Sequence, residues 1–468
     1  MIAKLAIHLS VLLAFVAAGC APQPRPYRPA LTADGELHLY LQPIPQEAHR
    51  IDFTIPAIAA IREDGELVPL SLAFSDFAGG DLVGVQKRLA SAVLPPGPYK
   101  GIVIEIDKAS VLGEEGAASL LVPDEPLIVE QEFTVVRKAA HALFLSLEPD
   151  YLLSSGFRFT PTFSLAKPRG QLRNLLGFAT STKSNVVSVF NKHTMEIVDT
   201  IATGSGPMGA VIDERRGWVY VALAGDDAIE AIEANTGQLL RRLQLNFGDE
   251  PIELALSPDG TTLVSANRGS NSASIIDAMS LREVTRVSLP AQPNAVVAGA
   301  SRVYVLQPRA NAVSVINLPR RELLSTQILD DKPMRGAISS DGNSLFIITR
   351  FTSDVLVIDA LSLAERGRIY VGSGAASIRV DSNTGLIYVG KKSSGISVID
   401  PSSLLPIDRF RLEGYTEFLT IDEDDNSLLV LLPDRNAIQK LDLVSKKLRA
   451  TIEVGDGGYS IAVMGGAR

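Results

Sequence analysis

One stretch of pattern recurs through the last two thirds of the chain, and it restricts the fold more than any single motif. "VYVALAGDDAIEAIEANTGQLLRRLQL", "LVSANRGSNSASIIDAMSLREVTRVSL" and "VYVLQPRANAVSVINLPRRELLSTQIL" each read strand, polar loop, strand, turn, strand. Three further copies follow, ending in "LLVLLPDRNAIQKLDLVSKKLRATIEV". One more short strand precedes each copy, as in "PIELALSPDG" and "PMRGAISSDG". These extra strands start at Pro207, Pro251, Pro293, Pro333, Ala375, Thr416 and Gly458, with spacings of 44, 42, 40, 42, 41 and 42 residues.

Four strands in about 42 residues is the period of a β-propeller blade. The last strand, "YSIAVM", has no partners after it, and "LLGFATSTKSNVVSVFNKHTMEIVDTI" at 175–201 is a copy lacking its first strand. Joining the two ends completes a seventh blade and removes the free edges that invite aggregation. The copies resemble the YVTN-type propeller repeats of bacterial surface and periplasmic proteins. The carriers are "VYVA" at 219–222, "SPDG" at 257–260, "NAVSVIN" at 311–317, "SSDG" at 339–342, "DVLVID" at 354–359 and "GISVID" at 395–400. That resemblance implies architecture over 171–468 and says little about chemistry, because propellers host enzymes and pure binding proteins alike.

The stretch 33–167 reads differently. "GELHLYLQPI", "RIDFTIPAIAAI", "LPPGPYKGIVIEIDKASV", "LIVEQEFTVV" and "FRFTPTFSLA" are short alternating strands with turn signals between them. Long helical periods are absent, so an antiparallel β-sandwich is expected ahead of the propeller, in an all-β chain. The segment resembles an uncharacterised β-sandwich domain of bacterial surface lipoproteins through "GELHLYL", "LPPGPYKGIVIEI" and "FTPTFSL". The resemblance implies location and fold only. "KPRG" at 167–170 reads as a linker.

The first residues have the form of a secretion signal: Met1 to Lys4 is a short positive region, followed by the apolar "LAIHLSVLLAFVAAG". Ala17-Ala18-Gly19-Cys20 resembles the lipobox of bacterial lipoproteins, with Ala17 where that family usually has Leu. The resemblance implies a signal peptide over 1–19, cleavage before Cys20 and lipid on its sulfur. Ordinary secretion with a free thiol is the alternative. Cys20 is the only cysteine, so it has no disulfide partner in the chain. The Pro-rich 20–32 reads as a tether. Ala21, which is not Asp, implies the outer membrane under the enterobacterial sorting rule.

Composition excludes little else. Residues 1–170 carry 14 basic and 19 acidic side chains and the rest 30 and 34, so both parts are mildly acidic and nucleic acid is not the expected partner. Of five histidines only His193 lies in the repeats, in the turn "NKHTME", so no multi-His metal centre and no Ser-His-Asp set is expected. "GSGPMGA" at 204–210 and "GDGG" at 455–458 are not followed by helices and read as blade connections. "DEDDN" at 422–426 lacks EF-hand spacing and reads as a solvated turn. Trp218 reads as packing. No catalytic set, metal or cofactor is expected.

One pattern points to a ligand face. The loop between the second and third strands of each blade lies on the face where ligands usually approach a propeller. These loops hold Lys183, Arg268, Arg309, Arg350, Lys391 with Lys392, and Arg435, while the remaining blade offers Asp226 and Asp227. A cationic ring on an acidic protein attracts anionic groups; ordinary solvated loop charge is the plainer reading. The expected protein is therefore a lipid-anchored binding or scaffold protein of the cell envelope, at the outer membrane. It would present a propeller face to an envelope protein or an anionic polysaccharide. The alternatives are a propeller enzyme of lactonase, lyase or quinoprotein-like dehydrogenase type, and an outer-membrane assembly factor.

Overall fold

The computed structural model describes residues 31–465, apart from 32, 115, 150, 151, 171, 393 and 394. Cys20, the expected signal and nearly all of the expected tether lie outside the described residues. No helix among those described is long and apolar enough to cross a membrane.

Four sheets form from strands between Gly35 and Ala166, one of five strands, two of four and one of two. The largest has five strands in the spatial order Phe163–Ala166, Ala140–Leu147, Gly35–Leu41, Lys87–Leu94 and Ser71–Leu72. The ladders are antiparallel with one exception. Gly35–Leu41 runs parallel to Ala140–Leu147, with Leu37 opposite His141 and Leu41 opposite Leu145. Such pairing needs a long crossover, and the two four-stranded sheets form within it. Leu37, Leu39, Ile58, Ile102, Phe133 and Leu145, drawn from these sheets, share one buried core. Phe53 stacks on Phe77 at 4.6 Å inside it.

Seven four-stranded antiparallel sheets follow, six of them with their strands in chain order from the axis outward. The inner strands of blades 2 to 7 are Pro207–Asp213, Pro251–Leu256, Ala295–Ala298, Pro333–Ile338, Ala375–Val380 and Phe418–Asp422. In blade 1 the inner strand is the C-terminal Gly458–Val463, paired to Leu176–Ser181 with Ala179 opposite Ile461. The ring closes as the unpartnered ends of the repeat predict. Two inner strands begin two residues later than the repeat spacing suggests. At Pro293 the register is taken up by the Asn294 side chain, which donates to the Met334 carbonyl at 2.8 Å. At Thr416 the backbone N–H turns to Lys391 of the preceding blade.

The strands obey their place. Second strands such as Trp218–Leu223 and Ser344–Thr349 are buried almost throughout, packed on both faces by neighbouring blades. Outer strands such as Leu239–Gln244 are largely exposed and carry charge. Adjacent blades are stitched by buried phenols: the Tyr220 hydroxyl donates to the Ala278 carbonyl at 2.8 Å and Tyr304 to Ala360 at 2.7 Å. The tight turns after the second strands end in Asn185, Asp227, Asn271, Asn311 and Asn436. These adopt φ of 55°, 51°, 53°, 49° and 46°. Asn and Asp tolerate that left-handed conformation best among residues with a side chain.

The "DEDDN" turn is a clasp rather than a solvated loop. Lys192 of blade 1 is buried and donates to Asp422 at 2.6 Å, Asp424 at 2.9 Å and the Met464 carbonyl at 2.7 Å. Lys440 is buried beside it, bonded to Asp425 and to the Lys192 carbonyl. The acids of blade 7 therefore hold ammonium groups at the seam where the two chain ends meet. Burial pushes the Asp422 carboxyl up, with Lys192 and Lys440 acting against it.

The N-terminal sheets rest on the outer edge of this seam. Tyr40, Ala142 and Phe144 share a core cluster with Phe190, Met195 and Ile197 of blade 1. Gln86 brackets the Ile197 backbone, accepting from its N–H at 2.7 Å and donating to its carbonyl at 3.0 Å. The edge strand Glu196–Ala202 is thereby covered at that point rather than left open.

Candidate functional site

The inner strands run from the blade connections on one face to the first hairpins on the other, and they leave a channel along the axis. Three charged side chains face it from within otherwise apolar strands: Glu253 of blade 3, Arg335 of blade 5 and Arg379 of blade 6, and Glu417, just before the blade 7 strand, joins them through Arg335. Arg335 reaches across the axis. Its Nη1 donates to Glu253 Oε2 at 3.2 Å and its Nη2 to Glu417 Oε1 at 3.2 Å. The guanidinium also lies 5.5 Å from the Phe418 ring and 5.6 Å from Tyr459. Gly209 leaves room for this plug, because a Cβ there would meet Glu253 Oε1 at 2.8 Å and the Ile252 carbonyl at 3.0 Å.

Electrostatics follow from burial and pairing. Burial works against the Arg335 charge, but Tyr459, Glu253 and Glu417 outweigh it and raise its pKa further. Burial raises Glu253, against Arg335 and Arg379, which lower it. Arg379 is lowered by burial, with Arg335 repelling it and Glu253 acting the other way. It remains a cation at neutral pH. Its Nε donates to the Leu419 carbonyl at 3.0 Å and its guanidinium lies 5.0 Å from Phe418.

Below the plug the channel widens into a cavity of about 630 Å³, lined by inner strands and by hairpins such as 213–215 and 339–342. It opens on the face opposite the turns that carry the predicted cations. The sequence reading passed over this channel. A signal was present in "PIELAL" and "PMRGAI", where Glu253 and Arg335 occupy the same place, two residues after a blade-opening proline.

The cations named from the repeat lie between the second and third strands of their blades or at the end of the second. Lys183, Arg268, Arg309, Arg350, Lys392 and Arg435 sit in the turns after the second strands, and Lys391 ends the strand Ile387–Lys391. These turns bond to the blade connections: Lys183 N–H to Asp456, Arg268 to Glu250, Arg350 to Lys332 and Lys392 to Gly374. The cations differ in availability. Arg268 pairs with Glu250 at 3.1 Å and Arg435 with Glu413 at 3.6 Å. Burial lowers the Lys391 pKa, with Arg409 adding to it. Lys183, Arg309, Arg350 and Lys392 are exposed. Arg350 lies 5.6 Å from the Phe351 ring and Lys392 5.6 Å from Tyr415. In the seventh turn Asp226 pairs with Arg242 at 2.6 Å, and Asp227 accepts from the Gly248 and Glu250 N–H groups.

His193 lies in an outer turn, largely exposed and 3.7 Å from Asp425. Among the described residues no group of three or more His, Cys, Asp or Glu side chains is placed to hold a metal ion. Trp218 packs edge-on to Tyr220.

The fold and the plugged channel define the class: a seven-bladed β-propeller joined to a β-rich N-terminal part. No family profile matches the chain. It is similar to the uncharacterized protein YncE of Salmonella typhi, 22% identical over 287 residues that span 57% of this chain and 81% of that one. The protein of that name from Salmonella typhimurium matches to the same extent. Among solved structures, a functionally unknown protein from Desulfotomaculum acetoxidans superposes with a TM-score of 0.56 at 13% identity, over 61% of this chain and 98% of that one. Kuenenia stuttgartiensis hydrazine synthase gives 0.50 at 18% identity, covering 55% and 90%. The dihydro-heme d1 dehydrogenase NirN gives 0.50 at 14% identity, covering 64% and 78%. At these identities the likeness is one of fold.

Proposed function

We propose that the protein is a non-enzymatic binding protein of the cell envelope, lipid-anchored through Cys20 at the outer membrane. It uses the turn face of its propeller to hold an anionic envelope polymer or the acidic surface of an envelope protein. The observation that carries this reading is the set of exposed cations at equivalent turns, Lys183, Arg309, Arg350 and Lys392, on a chain of net charge −9. A local positive face on an acidic protein concentrates anionic groups there. The channel beneath supports binding over catalysis, because Arg335 bonds both Glu253 and Glu417 and so engages the two carboxylates beside it in a structural tie.

The test is photo-crosslinking in intact cells from position 350 on the turn face and from position 320 on the outer rim. The reading predicts a discrete envelope adduct from 350 and none from 320. Equal capture at both, or none at 350, overturns it. In the same cells Cys20→Ser should leave the membrane fraction and lose the acyl mass; retention with unchanged mass overturns the anchor.

A further inference from the structure

We propose that the cavity on the hairpin face is a small-molecule site, separate from the turn face, for a ligand with one anionic group on an apolar body. Its size is that of ordinary ligand pockets. Val211, Val297, Ile338, Val380 and Ala462 line it, and each keeps part of its surface uncovered, unusual for aliphatic side chains on the innermost strands. The apolar walls suit a hydrocarbon or aromatic body.

The anchor is Arg379. The carboxylates that line the cavity already have donors: Glu253 has Arg335, Asp213 has Arg216, Glu214 takes the Gly465 N–H at 2.7 Å, and Asp341 takes the Ser339 hydroxyl and the Asn343 N–H. Arg215 is bonded to the Asp259 carbonyl at 2.8 Å. Arg379 differs. Its Nε is fixed on Leu419 and its plane lies against Phe418, while its two terminal nitrogens have no acceptor among the described residues. A guanidinium held in one orientation, with its fork free, is arranged for bidentate contact with a carboxylate. Arg335 adds positive charge above it, while Glu253 faces the same space and limits the site to a single negative charge.

The experiment is calorimetric titration of the full protein with sodium octanoate and, as the neutral control of equal length, 1-octanol. Wild type should bind octanoate saturably at one site, about tenfold more tightly than octanol. Arg379→Met should abolish that preference with an unchanged melting temperature, and Val297→Phe, which fills the cavity, should weaken both ligands. No saturable octanoate binding, no preference over octanol in wild type, or a preference that survives in Arg379→Met each overturns the site. Should Arg379→Met fail to fold, the wild-type preference and the weakening of both ligands by Val297→Phe decide the matter, and undiminished binding in Val297→Phe overturns the site. Crosslinking at position 350 is untouched by either result, so this site and the turn-face reading fail separately.

Discussion

Arg335 Nη1 lies 3.2 Å from Glu253 Oε2, although 82 residues and two blades separate them. Glu417 stands the same 82 residues away on the other side. One guanidinium thus ties three of the seven blades across the axis. Arg335→Met leaves two carboxylates facing each other in the channel and should destabilise the protein by about 3–5 kcal/mol, as breaking a buried ion pair does. Denaturant unfolding checks this. Adding Glu253→Gln to the same chain should restore much of the loss, because Glu417 and Arg379 then remain as one carboxylate and one guanidinium of opposite charge.

The clasp at the seam makes a parallel prediction. Asp422 is fully buried and Lys192 is its ammonium partner at 2.6 Å. Lys192→Met should cost about 3–5 kcal/mol by stranding that carboxylate. The loss should also raise hydrogen exchange in Gly458–Val463, the strand that closes the ring. Loss of stability without faster exchange there would place the damage elsewhere.

Asp199, in the outer strand of blade 1, has its pKa raised from 3.8 to about 6 by burial, against the hydrogen bond that the Thr200 N–H donates to its carboxylate. A carboxyl with a raised folded-state pKa favours the fold when protonated. Its contribution is full below about pH 4 and is lost as pH rises through about 6. Asp199→Asn should therefore stabilise the protein at pH 7, by at most about 3 kcal/mol from the size of that shift. The same substitution should have little effect at pH 4. Melting curves at both pH values check the sign.

Gln86 predicts how the two parts unfold. Its side chain makes two hydrogen bonds to the Ile197 backbone from a buried position. Gln86→Ala removes both partners and should cost about 1–3 kcal/mol at the contact. Calorimetry should then show the N-terminal sheets and the propeller melting in separate steps, where wild type melts in one.

The blade count was legible because a 42-residue period and two incomplete ends leave one closed solution. The chemistry at the axis was harder to see. Glu253 and Arg335 sit in short apolar strands where a charge reads as an irregularity, and only closing the ring brings them together. "DEDDN" looked like a solvated turn because its partners, Lys192 and Lys440, come from distant or outward-reading strands. The parallel pairing of Gly35–Leu41 with Ala140–Leu147 was likewise invisible, since alternation reports a strand's buried face but not its neighbour's direction. The turns carrying Lys183, Arg309, Arg350 and Lys392 were placed by the repeat alone. Which cations are taken by acids, as Arg268 is by Glu250, depends on side-chain geometry that the spacing does not encode.

The central claim is a cationic binding face on an acidic chain, and retention on immobilised dextran sulfate tests it most directly. A protein of net charge −9 has no reason to bind a polyanion unless cations are concentrated on one face. Wild type should be retained at low ionic strength and released as salt screens the contact, over a Debye length of about 10 Å at 0.1 M. The variant with Arg309→Ser, Arg350→Ser and Lys392→Ser should pass through unretained with an unchanged melting temperature. Passage of the wild type, or equal retention of the variant, contradicts the account.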